Sequence, residues 1–215
     1  MVKVKICGIT NQEDAWLACD LGADALGFIL YPKSPRYANP EIVLKIVRSL
    51  PPFVTTVGVF VNETNEDLNK LCQTIPFKLI QLHGDETPGY CKRLHLPCIK
   101  ALRVNRDLRV SQMQDYEVSG FLLDTFDRDS YGGTGTIFDW NIARAAKKYG
   151  RILLSGGLTP DNVVSAVEEV WPYAVDICSG VEASPGKKDP EKLRAFFDAI
   201  KSIQPHPNLN LESDQ

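Results

Sequence analysis

The sequence lacks the features that mark a membrane or exported protein. No window approaches the roughly 18 consecutive apolar residues that a membrane-spanning helix needs. The start, MVKVKIC, leads directly into an apolar strand pattern and has no basic region, apolar region or cleavage site of a signal peptide. These absences predict a soluble protein that stays in the cytoplasm.

Basic residues are also in short supply. The 24 Lys and Arg residues are outnumbered by 27 Asp and Glu residues, and the formal net charge is -3. Proteins that bind nucleic acids or membrane surfaces normally carry a basic face or cluster. The balance argues against both kinds of partner and predicts a small-molecule ligand.

The cysteines lack the spacing of a metal site. There is no CxxC pair, and the cysteines are scattered through segments with helix or strand patterns. This distribution fits free thiols in a reducing compartment better than a disulfide framework or a zinc site, so we expect no bound metal. The six cysteines are Cys7, Cys19, Cys72, Cys91, Cys98 and Cys178.

The sequence does have a regular series of short apolar runs rich in Val, Ile, Leu and Phe. Their starts are 20 to 31 residues apart, which leaves room for one strand, one helix and two loops each time. Because polar residues do not alternate with the apolar ones, the runs are typical of strands buried on both faces of a parallel sheet. They cover residues 4–7, 25–30, 55–61, 78–82, 98–102, 120–124, 151–155 and 174–178.

The segments between these runs have helix patterns. The first opens with Asn11 as a possible cap, and Gly22 ends it. Eight strand-and-helix units predict one α/β domain, a (β/α)8 TIM barrel over residues 1–203, with a doubly wound open sheet as the alternative. Residues 204–215 are polar, contain two prolines and predict a loose C-terminal tail. The predicted helices cover residues 11–21, 40–49, 64–73, 87–94, 106–114, 139–149, 160–170 and 189–203.

Two glycine-containing loops follow the seventh and eighth runs. They are SGG at 155–157 and SG at 179–180. In a barrel the active site lies at the carboxyl ends of the strands, and this pair of loops is the usual place for a phosphate, held by free backbone N–H groups. The loops therefore predict a phosphate site, although the glycines could merely make tight turns. Its candidate residues are Gly156, Gly157, Ser179 and Gly180.

Charged and nucleophilic side chains lie at the ends of other runs or in the loops that follow them. YPKSPR (31–36) predicts a stiff loop that delivers Arg36, whose planar fork matches a carboxylate; a solvated surface arginine is the alternative. Asp124 can serve as a general acid or as a hydrogen-bonded structural residue. Cys7, on the opposite side of the mouth, can accept a proton as a thiolate or simply pack. His83 is another possible acid or base, or a structural residue.

These residues lie in segments that resemble the phosphoribosylanthranilate isomerase family of tryptophan biosynthesis. The resemblance spans nearly the whole chain except the tail. It implies a (β/α)8 barrel that converts N-(5-phosphoribosyl)anthranilate to 1-(2-carboxyphenylamino)-1-deoxyribulose 5-phosphate by an Amadori rearrangement, with no cofactor. The similar segments are KICGIT (5–10), GFILYPKSPRY (27–37), VGVFVN (57–62), IQLHGDE (80–86), LLDT (122–125), YGGTGTIFDW (131–140), LSGGLTPDNV (154–163) and DICSGVEASPGKKD (176–189).

The resemblance also implies roles for individual residues. Cys7 would be the general base and Asp124 the general acid, while Arg36 would pair with the anthranilate carboxylate. The amides of the two glycine loops would hold the phosphate. The sixth loop would cover the substrate through Gly132, Gly133 and Gly135, and the pocket wall would include Gln81, His83 and Arg103.

Other readings remain open at this point. A related sugar-phosphate isomerase of histidine biosynthesis, or a barrel serving both pathways, would typically use two aspartates, and Cys7 argues against it. A catalytically silent barrel that binds a phosphorylated ligand and regulates a partner is a second alternative. Some organisms fuse such a barrel to indole-glycerol-phosphate synthase, whereas the ends of this chain suggest a monofunctional protein. Monomer and homodimer are both compatible with the sequence.

Overall fold

The fold is a closed barrel of eight parallel strands in chain order. The computed structural model describes residues 1–105, 108–125 and 140–204. β1 closes the barrel by pairing with β8, with Ile6 opposite Ile177. Each strand lies within two residues of a predicted apolar run, so the predicted (β/α)8 barrel is confirmed and the open sheet is wrong. The strands are β1 (Lys3–Ile6), β2 (Ala25–Ile29), β3 (Thr55–Phe60), β4 (Leu79–Leu82), β5 (Cys98–Val104), β6 (Gly120–Thr125), β7 (Ile152–Leu154) and β8 (Ala174–Ile177).

The helices of the described residues pack outside the strands, and one larger apolar core fills the space between the two layers. After β8, a 3-10 helix (Ser179–Val181) leads into a short antiparallel hairpin of β9 (Glu182–Ser184) and β10 (Lys187–Lys188). The helices are α1 (Gln12–Leu21), α2 (Pro40–Ser49), α3 (Asn65–Thr74), α4 (Pro88–Cys91), α5 (Trp140–Ala146), α6 (Val163–Val170) and α7 (Pro190–Ser202).

Two connections are less helical than the sequence pattern predicts. The pattern predicts helices over 87–94 and 106–114, but the structure has a single turn, α4, and a 3-10 helix, Val110–Asp115. Each buries one side chain, Cys91 and Met113 respectively.

The predicted boundaries of α1 are confirmed. Asn11 Oδ1 accepts a hydrogen bond from the backbone N–H of Asp14 at 2.8 Å, which satisfies a donor at the helix N terminus. Gly22 ends the helix with a φ of 113°, a left-handed conformation that glycine adopts without a steric penalty.

The interior of the barrel holds an ion pair as well as apolar side chains. Lys5 on β1 and Asp176 on β8 lie 2.7 Å apart between Nζ and Oδ1, and both side chains are buried. A lone charge in this interior would be costly, so each group needs the other. A small apolar cluster, separate from the core under the helices, consists of Ile99, Ala101, Leu122, Leu153 and Ala174.

Candidate active site

A cavity at the carboxyl ends of the strands brings most of the predicted site residues together. Among the described residues its lining also includes side chains that the sequence did not single out, such as Tyr31, Asp176 and Cys178. The predicted residues in the lining are Cys7, Arg36, Gln81, His83, Asp124, Gly156, Gly157, Ser179 and Gly180.

Some predicted residues are not in this lining. Arg103 lines a different, polar cavity, where its Nη1 lies 3.9 Å from Asp85 Oδ1. The cover residues Gly132, Gly133 and Gly135 lie outside the described residues, as does the tail from residue 205 onward.

Cys7 follows β1 and is almost completely buried at the cavity wall. A hydrogen bond from the Cys178 thiol is the main reason that the pKa of Cys7 falls to about 6; burial opposes this change, and the positive charge of Lys5 supports it. The same contact raises the pKa of Cys178 well above its ordinary value. The arrangement therefore favours a Cys7 thiolate beside a protonated Cys178.

Gly8 makes room for this pair of thiols. Its φ is 74°, and a Cβ atom at this position would lie 2.8 Å from Cys178 Sγ and 3.1 Å from Arg36 Cδ. The turn after Cys7 thus needs glycine both for its left-handed backbone and for the close approach of the neighbouring side chains.

The guanidinium of Arg36 is held by a carboxylate of the protein. Its Nε donates to Glu182 Oε1 and Oε2 at 3.0 and 2.9 Å, and its Nη2 donates to Oε2 at 2.8 Å. Burial opposes charge on both groups, but their pairing keeps the pKa of Arg36 raised and that of Glu182 lowered. Within the described residues, Nη1 makes no hydrogen bond, so this edge of the fork can meet a ligand.

Glu182 is itself fixed by the hairpin that follows β8. Its Oε1 accepts hydrogen bonds from Lys188 Nζ and from the backbone N–H of Gly186, both at 3.2 Å. The carboxylate is buried among these donors. The hairpin therefore sets the position of Arg36 at the mouth.

Asp124 contacts an imidazole at the opposite side of the cavity. His83 Nε2 lies 3.2 Å from Asp124 Oδ2, and Gln81 Nε2 lies 2.8 Å from His83 Nδ1. With the amide nitrogen of Gln81 donating to Nδ1, a neutral ring carries its proton on Nε2 and donates it to Asp124. This chain of contacts holds the carboxyl group of Asp124 in place at the cavity wall.

The glycines of the seventh loop have the backbone of an anion site. Gly156 and Gly157 are left-handed, with φ of 79° and 68°. Within the described residues, their backbone N–H groups have no hydrogen-bond acceptor, as a site for an anion requires. In the eighth loop, a Cβ atom on Gly180 would lie 2.0 Å from the carbonyl oxygen of Leu158. Only glycine allows the two loops to approach this closely.

Asn162 stabilises the seventh loop. Its Oδ1 accepts a hydrogen bond from the Thr159 N–H, and its Nδ2 donates to the Gly157 carbonyl, each at 2.8 Å. The sequence predicts a helix from Pro160, but α6 begins only at Val163. The reason is that the Asn162 side chain bridges the preceding turn instead of capping a helix.

Sequence reasoning missed three parts of this site: Cys178, Glu182 and the Lys5–Asp176 pair. Side chains alternate between the faces of a strand, so Lys5 faces the same way as Cys7, and Asp176 the same way as Cys178. The sequence feature that could have identified Lys5 and Asp176 is a charged residue within an otherwise apolar run. The only feature that could have identified Glu182 is its position in the loop after β8.

Neither a metal site nor a membrane-spanning helix is found in the part of the chain that the structure describes. Its side chains include no group of three or more His, Cys, Asp or Glu residues placed to hold a metal ion. None of its helices combines the length and apolar character needed to cross a membrane.

Known proteins resemble the chain over nearly all of this fold. Residues 4–199 match the family model described as N-(5'phosphoribosyl)anthranilate (PRA) isomerase. The chain is 53% identical over 203 residues to the N-(5'-phosphoribosyl)anthranilate isomerase of Citrifermentans bemidjiense, covering 94% of this chain and 98% of that protein.

Solved structures agree in fold. Phosphoribosyl anthranilate isomerase from Thermotoga maritima is 42% identical, with a TM-score of 0.85 over 94% of this chain and 99% of that one. A phosphoribosyl anthranilate isomerase in complex with reduced 1-(o-carboxyphenylamino)-1-deoxyribulose 5-phosphate is 41% identical, with a TM-score of 0.81 and the same coverage.

Proposed function

The chain belongs to the N-(5'-phosphoribosyl)anthranilate isomerase family, and we propose that Cys7 and Asp124 carry out the reaction of that family at the barrel mouth. The reaction is an aldose–ketose isomerisation in tryptophan biosynthesis. The observation that carries the assignment of roles is that a thiol with a lowered pKa, a carboxyl group and two glycine-containing loops line one cavity.

The substrate spans the cavity between the two glycine loops and Arg36. The phosphate binds the backbone N–H groups around Gly156, Gly157, Ser179 and Gly180, because an anion is stabilised by free amide donors. The anthranilate carboxylate binds the edge of Arg36 that faces away from Glu182. Holding both anionic ends places the sugar ring between the catalytic groups.

Asp124 acts first, as the general acid. Its carboxyl group, oriented by His83, donates a proton to the furanose ring oxygen, and the ring opens to a Schiff base. Cys7 then acts as the general base and removes the proton from C2 of the sugar, giving an enolamine that tautomerises to the ketone product. A base with a pKa of about 6 is ionised at neutral pH and can still accept a proton.

Loss of substrate fluorescence on conversion of N-(5'-phosphoribosyl)anthranilate tests these roles. We expect Cys7→Ser and Asp124→Asn each to lower kcat at least about 100-fold, the usual scale for losing a general base or acid. Cys19→Ser, a change to a thiol on α1 outside the cavity, is the matched control and should retain wild-type turnover. Wild-type turnover in both active-site variants would overturn the mechanism.

The assembly and cellular location of the protein stay predictions. The sequence is compatible with a monomer or a homodimer in the cytoplasm, with the sugar phosphate as its small-molecule partner. Sedimentation equilibrium at micromolar concentration distinguishes the two states by mass.

A further inference from the structure

Two cysteines meet where the barrel closes. β1 and β8 are parallel neighbours with Ile6 opposite Ile177, and the backbone N–H of Cys7 donates to the carbonyl of Ile177 at 2.9 Å. Cys7 and Cys178 are the next residues along the two strands. Neighbouring strands lie about 4.8 Å apart, which is within the Cα separation of about 4.4–6.8 Å that a disulfide spans.

Both thiols face the same cavity. Cys7 and Cys178 both line the mouth, and the interaction between the two thiols lowers the pKa of Cys7. Around Cys178 Sγ, Glu182 Oε1 lies at 3.8 Å and Lys188 Nζ at 3.9 Å. Lys188 favours a negative charge on this sulfur, and Glu182 opposes it.

We propose that Cys7 and Cys178 form a reversible disulfide when hydrogen peroxide oxidises Cys7, so that the barrel mouth is a redox modification site. This inference goes beyond the proposed function, because bond formation can be measured without the isomerase assay. The four other thiols are poorer candidates for this bond: Cys19, Cys72, Cys91 and Cys98 do not line the cavity.

The chemistry takes two steps. The Cys7 thiolate attacks a peroxide oxygen; an S–O bond forms, the O–O bond breaks, and hydroxide leaves a sulfenic acid behind. The Cys178 sulfur then attacks the Cys7 sulfur; the S–S bond forms, the S–O bond breaks, and the departing hydroxide takes the Cys178 proton and leaves as water. The two cysteines give up two electrons, which reduce the peroxide.

The disulfide would prevent Cys7 from acting as a base, and it would also protect Cys7 from further oxidation. A sulfenic acid with no partner is oxidised further to a sulfinic acid, which ordinary thiols do not reduce. A disulfide stops this progression, and thiol–disulfide exchange restores both cysteines. Cys178 would thus be a resolving cysteine, while Cys7 is the group attacked first.

The test treats the purified protein with hydrogen peroxide and identifies peptides by mass spectrometry. We expect a peptide pair that links Cys7 to Cys178 with the loss of two hydrogen atoms, together with loss of isomerase activity that dithiothreitol restores. In Cys178→Ser, which keeps a hydroxyl group in the thiol position, Cys7 should gain two or more oxygen atoms, and activity should not return. Cys19→Ser should behave as the wild type.

The outcomes separate this inference from the proposed mechanism. Absence of the linked pair in peroxide-treated wild-type protein would overturn the proposed disulfide. The proposal would also be overturned if a peroxide dose inactivated the Cys178→Ser variant completely and dithiothreitol then restored its full activity. A linked pair in protein that keeps full turnover would support the modification site and contradict the role of Cys7 as the base.

Discussion

Replacing Lys5 by methionine is expected to destabilise the barrel by about 3–5 kcal/mol. Lys5 Nζ lies 2.7 Å from Asp176 Oδ1, and the side chains are only 3% and 5% exposed. Removing one member of such a pair leaves an uncompensated buried charge, which costs about 3–5 kcal/mol. Methionine preserves most of the volume of lysine, so a cavity adds little to the loss.

Two controls show whether charge is the cause. Lys5→Met combined with Asp176→Leu removes both charges, and we expect a loss below about 1.5 kcal/mol because apolar replacement of a buried pair is often neutral. Lys3→Met breaks an equally short pair with Asp24 at 2.7 Å, but those side chains are 55% and 34% exposed, so the loss should be below about 1 kcal/mol.

Urea unfolding followed by tryptophan fluorescence gives the free energy of unfolding of each variant. The reasoning is refuted if Lys5→Met costs no more than Lys3→Met, or if the double variant is as unstable as Lys5→Met. In the folded Lys5→Met protein the pKa of Cys7 should rise, because Lys5 is one of the groups that favour its thiolate. Iodoacetamide would then need a higher pH to alkylate Cys7.

One measurement on the wild type and two substitutions test other parts of the site. In the wild type, alkylation of Cys7 by iodoacetamide, followed by peptide mass spectrometry, should slow only as the pH falls through about 6, because only the thiolate reacts; a decline centred near 9.0 would contradict the lowered pKa. Arg36→Lys should raise KM roughly 10- to 100-fold, the scale of a charged hydrogen bond, because lysine has no planar fork to meet both Glu182 and a carboxylate. An unchanged KM in steady-state assays would remove Arg36 from binding. His83→Gln should lower kcat about tenfold with little change in KM, because the variant loses one hydrogen bond that orients the general acid, Asp124. A change in KM alone would indicate that His83 only lines the pocket.

The fold could be predicted from the sequence to a large extent because its signals are local. Each strand is a short apolar run, and a cap such as Asn11 or a stop such as Gly22 acts within one helical turn. The predicted helix lengths were wrong between β4 and β5 and between β5 and β6, where the structure has a single helical turn and a 3-10 helix.

By itself, the sequence determined that eight strands alternate with helices and that Cys7, Asp124 and the glycine loops lie at or just after strand ends. Only the tertiary structure decided which side chains touch. Lys5 meets Asp176 across 171 positions of chain, and Arg36 meets Glu182 across 146. These pairs form because the last strand closes on the first, and no local pattern encodes that closure. The same closure places Cys178 beside Cys7, and the interaction between the two thiols lowers the pKa of Cys7.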